Sequence, residues 1–496
     1  MVDHIKRDRN DLYGMPLLGY LFKNQRFLFL LRLAVTALFF YAIALGFAVP
    51  GKENLYTPAL FWGIFWSLFI VVSLPTFGRI FCGICPHGFL GHYLTKFGLN
   101  KRMPKWLENR FIGVTLLMVG WWGVYYSFPS VYHTPFGSAV LFTVMTLLSF
   151  VFYLVYKEMS YCKYICPIGT LTRAYEKLSF TWLGTYQSAC SECKTFDCAK
   201  ACTHGLSPFN FDKKNSMGDC TLCMDCSDAC EAVSFRLTKP SFSLFSHFKI
   251  EKAEVWAYIL IVAAIPITMA FHHGMGRSAI ADEFIWAKTA AALQGIAGLG
   301  GMDTVGLFAF LYAVLFSVVA ATAGMFVASK ILQKEYTTVF YTLGYAFAPL
   351  FIFGSLSHTL EMFFVSGMEK IVDGFAYGFG VQSDFTSPAS RKDAWVHLFS
   401  YLRYVGVAWA LVILYKRFGL IEAKKRAKIL AFPFAASLII FFVAVNLYRG
   451  YILDTYGRAQ RGHHNHSVPT EKFSKNAPQA MRVTAGPAAE HPAGRL

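Results

Sequence analysis

Between Cys190 and Cys230 the sequence reads CSECKTFDCAKAC, then seventeen residues, then CTLCMDCSDAC; eight of the twelve cysteines fall within forty-one positions. No other stretch limits the chain so tightly. The second run, Cys220-x2-Cys223-x2-Cys226-x3-Cys230, has the spacing that wraps backbone around an iron–sulfur cluster. The first, Cys190-x2-Cys193-x4-Cys198-x3-Cys202, is the same device with two extra residues in the middle. In paired runs the first three cysteines hold one cluster and the fourth crosses to the other. The spacing predicts two [4Fe–4S] clusters, one on Cys190, Cys193, Cys198 and Cys230, the other on Cys220, Cys223, Cys226 and Cys202. Structural zinc prefers two CxxC pairs, or CxxC with a later histidine pair. Disulfides need an oxidising compartment, and the charge pattern below places this segment in the cytoplasm. Thr203 and Glu231 stand where a proline usually follows the fourth cysteine.

The rest of the chain is apolar. Of 496 residues 55% are hydrophobic, 17% aromatic and only 15% charged, which suits a multi-span membrane protein. The net charge of +17 is not a nucleic-acid footprint, because the basic residues cluster beside apolar spans. The polar opening, MVDHIKRDRNDLYG, has none of the pattern of a cleavable signal peptide.

About nine spans are expected, at 27–49, 58–76, 111–128, 137–156, 255–272, 304–329, 337–365, 395–415 and 429–448. Lys6, Arg7 and Arg9, then Lys96, Lys101, Arg102, Lys105 and Arg110, then Lys330 and Lys334, then Lys416, Arg417, Lys424, Lys425, Arg426 and Lys428 all fall on one side if the spans alternate. That side is the cytoplasm. The expected fold is an all-α polytopic membrane protein with a small cytoplasmic ferredoxin-like insert. Residues 1–177 form a four-helix membrane region, 178–250 the two-cluster insert, 251–450 a five-helix bundle and 451–496 a flexible outside tail. The stretch IADEFIWAKTAAALQGIAG has helical periodicity and is expected to lie along the outer interface.

The first four spans contain a parallel repeat. One hairpin ends in GRIFCGICPHG, the other in SYCKYICPIG, about eighty residues later. The motifs are Cys82-x2-Cys85-Pro86 and Cys162-x3-Cys166-Pro167. Proline suits the first turn of a helix, and a thiol just before it would meet the helix dipole. Three roles are open for Cys82, Cys85, Cys162 and Cys166: a bound metal or third cluster, thiol redox or copper chemistry, or structure.

Together, GRIFCGICPHG, CKYICPIG and the paired cysteine runs resemble the membrane polyferredoxins, which include NapH-type, NosR-type and CcoG-type proteins. The resemblance covers about residues 60–235. It implies two [4Fe–4S] clusters in the cytoplasm, used for electron transfer with the quinone pool, or for copper reduction in the CcoG branch. By position the eight cysteines of the paired runs would be the cluster ligands, and Cys82, Cys85, Cys162 and Cys166 the membrane redox motif. The first motif is x2 where the family has x3. The second half is a bundle, where the CcoG branch is expected to end in an immunoglobulin-like domain.

The second half carries no cysteine but has His272 and His273 ending one span, His358 inside another and His397 opening a third. Histidine in an apolar span is costly and suggests function. Two of these could ligate a b-type haem, contact a quinone or metal, or hydrogen-bond across helices; Glu361, one turn after His358, could handle protons. His87 and His92 flank the first thiol motif, His133 lies in an outside loop, and His463, His464 and His466 form a tail cluster. No nucleotide fingerprint is present. The expectation is a bacterial inner-membrane iron–sulfur protein, an oxidoreductase or electron-transfer component. It would pass electrons between cytoplasmic clusters and quinone or a respiratory redox protein. A metal reductase or assembly factor and a structural anchor subunit are the alternatives.

Overall fold

The computed structural model describes residues 5–191, 193–211, 217–293 and 301–459. Among the described residues eight helices are long and apolar enough to cross a membrane: Gln25–Ala48, Tyr56–Thr76, Pro135–Val155, Lys252–Arg277, Thr304–Leu332, Tyr336–Tyr377, Ala394–Phe418 and Lys425–Tyr456. About nine were expected. The remaining one, expected at 111–128, is helical over 110–127, but Arg110, Trp121, Trp122, Tyr125 and Tyr126 dilute its apolarity. Two helices outrun their expected ends by eight residues or more. The one expected over 337–365 continues to Tyr377, and the last reaches Tyr456 because Ile452 is buried, so the expected tail begins later. Of the interfacial stretch, Ile285–Leu293 is helical; residues 294–298 and the histidines of the tail lie outside the described residues.

Local chemistry sets the helix starts. Asn24 Oδ1 accepts from the Phe27 amide, Thr134 Oγ1 from the Gly137 amide ahead of a helix that begins with Pro135, and Asp303 Oδ1 from the Gly306 amide at 2.7 Å. Each satisfies a donor the first turn would orphan.

The insert is framed by two antiparallel strands, Thr181–Thr185 and Val233–Leu237, with Thr181 opposite Leu237 and Thr185 opposite Val233. One strand leads into the first cysteine run and the other leaves the second, so the pairing brings both runs together. The helices Asp197–Lys200 and Asp225–Ala229 pack against each other between them. The N-terminal segment also joins this core. Leu12 and Phe22 are buried with Met224 and Phe235, and Asp11 accepts from the Tyr186 hydroxyl at 3.0 Å and the Phe235 amide at 3.2 Å.

Candidate functional site

The two proline motifs end in matching geometry. Pro86 opens the helix Pro86–Phe97 and Pro167 opens Pro167–Tyr175, and the cysteine before each is its N-cap. Cys85 has φ −62° and ψ 134°, Cys166 φ −60° and ψ 119°. The extra residue in the second motif is absorbed by a wide, π-type turn over Tyr161–Ile165, closed by the Cys166 amide on the Tyr161 carbonyl. The third residue after each N-cap is glycine, where a Cβ would stand 2.9 Å from the Cys82 carbonyl at Gly88 and 2.5 Å from the Cys162 carbonyl at Gly169. Each helix start therefore closes down on the other cysteine of its own motif.

These four thiols line one cavity. Cys82, Cys85, Cys162 and Cys166 share its wall with Phe39, Phe61, Phe81, Trp121, Phe142 and Tyr161. Its free space is about 40 Å³, measured to the centre of a water-sized sphere. Thr172 Oγ1 lies 3.1 Å from Cys82 Sγ, the Tyr153 hydroxyl 3.0 Å from Cys162 Sγ, and the Gly169 amide donates to Cys166 Sγ at 3.3 Å. Two helix N-termini aim at the cavity, and both favour an anionic occupant. His87 also lines it, with Nε2 2.8 Å from Thr146 Oγ1.

A second cavity, in the insert, is lined by Cys202, Cys220, Cys223 and Cys226 with His204, Thr221, Met224 and Phe211. This is one of the quartets the crossover spacing predicts. Leu222 and Met224 adopt left-handed backbone, φ 56° and 64°, which costs a non-glycine residue about 1 kcal/mol or more. The kinks curl the loop so that the Leu222 amide donates to Cys220 Sγ at 3.4 Å. Burial pushes the Cys220 thiol up to about 12, so an anionic sulfur here needs a positive centre beside it. A cluster iron supplies that charge.

The other quartet is looser. Cys198 is buried and stands within charge–charge range of Cys230 and Cys190. Cys193 lies on an outer loop, where the Phe196 and Thr195 amides lower its thiol. Phe196 repeats the left-handed kink at φ 52°. Among the described residues no three Cys, His, Asp or Glu side chains close around the point a single metal ion would occupy; a cubane, with iron at separate corners, takes thiols spread more widely.

The insert cavity and the membrane-edge cavity are back to back. A Cβ at Gly83, inside the first thiol motif, would stand 2.7 Å from the Leu222 carbonyl and 2.8 Å from the Thr221 carbonyl. Arg32 Nε donates to the Gly83 carbonyl at 3.0 Å while its Nη2 donates to the Cys223 carbonyl. Arg79 is 2% exposed; its Nη1 donates to the Gly218 carbonyl at 3.0 Å and its Nη2 faces Cys82 Sγ at 3.9 Å. Asp219 binds Arg110 at 3.0 Å and Arg173 at 3.1 Å. Burial works to raise the Asp219 carboxyl, but Arg173, Arg110 and Arg79 hold it well below the usual range. Sequence reading missed Arg32, Arg79, Gly83 and Asp219. For Arg79, Gly83 and Asp219 the available signal was their place within cysteine motifs, in GRIFCGIC and GDC; for Arg32 it was a charge inside an apolar span.

The histidines of the second half are only partly gathered. The rings of His272 and His273 lie 4.7 Å apart, and His272 Nε2 is 3.2 Å from Asp303 Oδ2. His358 is within charge–charge range of His273 but is an exposed side chain, and Glu361 beside it pairs with Arg391 at 3.3 Å. His397 is exposed on the short helix Ala394–Leu398. His133 meets the Tyr125 ring edge to face, and His92 Nδ1 lies 3.4 Å from Asp225 Oδ2.

A family model described as a 4Fe-4S binding domain matches the chain twice, at residues 58–104 and 138–184. Each match covers the second helix of one hairpin and the CP motif that follows it; neither reaches Cys190. An uncharacterized protein of Methanocaldococcus jannaschii is 28% identical over 185 residues, 34% of this chain and 75% of that protein. The Escherichia coli protein YccM, named as a proposed electron transport protein, is 25% identical over 248 residues, 43% of this chain and 66% of its own. A second uncharacterized protein of M. jannaschii is 25% identical over 226 residues, 43% of this chain and 84% of that protein. No solved structure matches. With 4Fe-4S matches over both CP motifs and a proposed electron transport protein among its relatives, the chain is similar to membrane polyferredoxin-like iron–sulfur proteins.

Proposed function

We propose that this protein carries electrons along three adjoining [4Fe–4S] sites. They run from Cys190, Cys193, Cys198 and Cys230, through Cys202, Cys220, Cys223 and Cys226, to Cys82, Cys85, Cys162 and Cys166 at the membrane edge. The observation that carries this reading is the convergence of the four repeat thiols on one cavity, backed directly onto the Cys220–Cys223 loop. The 4Fe-4S family matches over both CP motifs support it. Iron–sulfur clusters supply one-electron steps when bound. The chain's own residues hold the thiols, offer hydrogen bonds to sulfur and exclude water with an aromatic wall.

The same convergence bears on topology. Pro135–Val155 lies between the two motifs, so both can reach one membrane face only if helix 110–127 also crosses. On this reading the chain crosses nine times and divides into a four-helix region, a cluster insert over 178–250 and a five-helix bundle. With the basic loops inside, the insert lies in the cytoplasm. Glu254, beside the insert's Lys177, and His272 are eighteen residues apart on one helix, roughly 27 Å, so His272 and His273 reach the outer side. There a quinone or a respiratory redox partner receives or donates the electron. His272, His273 and His358 are the residues nearest to that role, and the exposure of His397 removes support for it as a haem ligand.

Iron and sulfide analysis of the purified protein tests the reading. About twelve irons per chain are expected, falling to about eight in C82S/C85S. About eight in both proteins would remove the membrane-edge cluster, and fewer than eight in the wild type would remove the insert pair.

A further inference from the structure

Three spans of the second half touch at Gly354 on Tyr336–Tyr377. A Cβ there would stand 3.3 Å from the tip of the Phe442 ring on the last span and 3.4 Å from Pro266 Cβ on Lys252–Arg277. One turn further along, His358 is exposed, so the spans have parted into a cleft above an apolar floor. Arginines gather at this opening from four parts of the chain. The stem of Arg449, seven residues beyond Phe442, crosses Gly274, where a Cβ would meet its Cδ at 2.7 Å and its Nε at 3.0 Å. Arg277 stands three residues after that glycine. Arg403 Nη1 donates to Asn446 Oδ1 at 2.9 Å, one turn before Arg449. Arg458 is held beside Arg277 by its pairing with Ser278 and by the Ala279 amide, which donates to the Gly457 carbonyl at 3.2 Å. Arg277, Arg391 and Arg449 all lie within charge–charge range of His358. The carboxylates nearby are engaged: Glu361 with Arg391, and Asp303 with His272. Among the described residues the guanidinium groups of Arg277, Arg449 and Arg458 have no hydrogen bond or ion pair.

We propose that this cleft binds the phosphate of an anionic phospholipid, clamped by Arg277, Arg403 and Arg449. Its place on the outer side rests on the nine-crossing reading above; the lipid site rests on the cleft itself. Basic residues at the outer ends of spans run against the trend that keeps them inside, so these arginines need a reason other than topology. Guanidinium pairs with phosphate oxygens through two parallel donors, and basic pockets between spans take anionic headgroups. Two observations favour a lipid over a free phosphate. Trp395, Tyr401, Tyr404, Tyr448 and Tyr451 are exposed on the same two helices as Arg403 and Arg449, which puts the opening at the level where aromatic belts meet headgroups. Those helices, Ala394–Phe418 and Lys425–Tyr456, also carry exposed Val405, Val412, Ile440 and Leu447, an apolar flank for acyl chains below the phosphate. Seated there, the phosphate offsets the arginine charge beside His273, on the side where the electron leaves.

The test is native mass spectrometry of the delipidated full-length protein, titrated in detergent with dioleoyl phosphatidylglycerol or dioleoyl phosphatidylcholine. One phosphatidylglycerol per chain is expected to bind about tenfold more tightly than phosphatidylcholine, with inorganic phosphate a poor competitor. R277Q/R449Q should erase that preference, while K424Q/K425Q, at the other end of the last span, should keep it. Equal binding of the two lipids overturns the inference, as does a preference that survives R277Q/R449Q. Displacement of the lipid by an equal concentration of inorganic phosphate assigns the arginines to a soluble anion and also overturns it. If R277Q/R449Q does not fold, the wild type decides. Its preference must shrink as sodium chloride is raised, because salt screens charge pairs; a preference indifferent to salt refutes the proposal. The side is read separately. A membrane-impermeant maleimide should label S390C, next to Arg391, from outside intact cells. Labelling only after lysis would overturn the nine-crossing reading and leave the lipid result standing.

Discussion

Replacing Gly83 by alanine would put a methyl group between two backbones that have no room for it. The added carbon would lie 2.7 Å from the Leu222 carbonyl oxygen and 2.8 Å from that of Thr221, against 3.4 Å or more for an ordinary contact. One side must retreat by roughly 0.7 Å, and neither is the free end of a side chain. Overpacking of this kind costs about 1–3 kcal/mol. The retreat also pulls on Arg32, which ties the Gly83 carbonyl to the Cys223 carbonyl, and so opens the narrowest point between the two cavities. The assay is thermal unfolding in detergent, together with magnetic coupling between clusters in the reduced protein. G83A should melt lower and show weaker coupling while its iron content stays near that of the wild type. Gly120→Ala is the control, because a Cβ there has nothing within 4 Å. If G83A melts and couples like the wild type and like the control, the two sites do not meet at Gly83.

Three further outcomes follow from named contacts. Lys177→Met leaves the buried carboxylate of Glu254 without its cation, at a cost of about 3–5 kcal/mol; the double variant with Glu254→Leu should recover most of the lost melting temperature. Asp219→Asn removes the anion shared by Arg110 and Arg173, so limited proteolysis should cut the insert faster while the membrane spans stay protected. Buried Glu176 has a stability signature in the cluster-free protein. Its carboxyl is raised from 4.5 to about 7 in the fold, so between those values the folded chain holds more protons than the unfolded one. Stability therefore falls with rising pH across that window, by about 3 kcal/mol in all. E176Q should lose this slope and be the more stable protein above pH 7, and a parallel decline in both would contradict the assignment.

Much of the site was legible because it is written in local spacing. The gathering of Cys202, Cys220, Cys223 and Cys226 round one cavity follows from counting residues, since a chain that bends round a cluster returns a thiol every third or fourth position within a run. The hairpin repeat was equally plain, because its two motifs share CP and the glycine two residues on. What could not be read depends on which surfaces meet. Arg32 and Arg79 sit in or beside apolar spans and look like positive-inside residues until their donors are seen on the insert's carbonyls. The segment from Arg7 to Phe22 is a polar opening in the sequence, yet Asp11 accepts from the Tyr186 hydroxyl and the Phe235 amide across the insert. Helix 110–127 is less apolar than the eight spans because Trp121, Trp122 and Tyr126 are buried against protein. It offers tryptophan and tyrosine to its neighbours, where a lipid-facing span would offer leucine.

The two thiol motifs differ by one residue and still end alike. Cys85 and Cys166 cap their helices with nearly the same backbone angles, each followed by proline and each with glycine at the third position beyond the cap. The fourth residue of the longer spacing is taken up by the π-type turn Tyr161–Ile165, while the shorter motif uses an ordinary α turn over Ile80–Ile84. What the duplication preserves is therefore the position of a thiol at the mouth of a helix, and the spacing in sequence is the variable that adjusts to it. A departure from x3 to x2 then carries no information about whether the thiols hold a cluster. The quantities that bear on whether four sulfurs can share one centre are a common cavity, two helix N-termini at its wall, and hydrogen-bonding groups beside Cys82, Cys162 and Cys166.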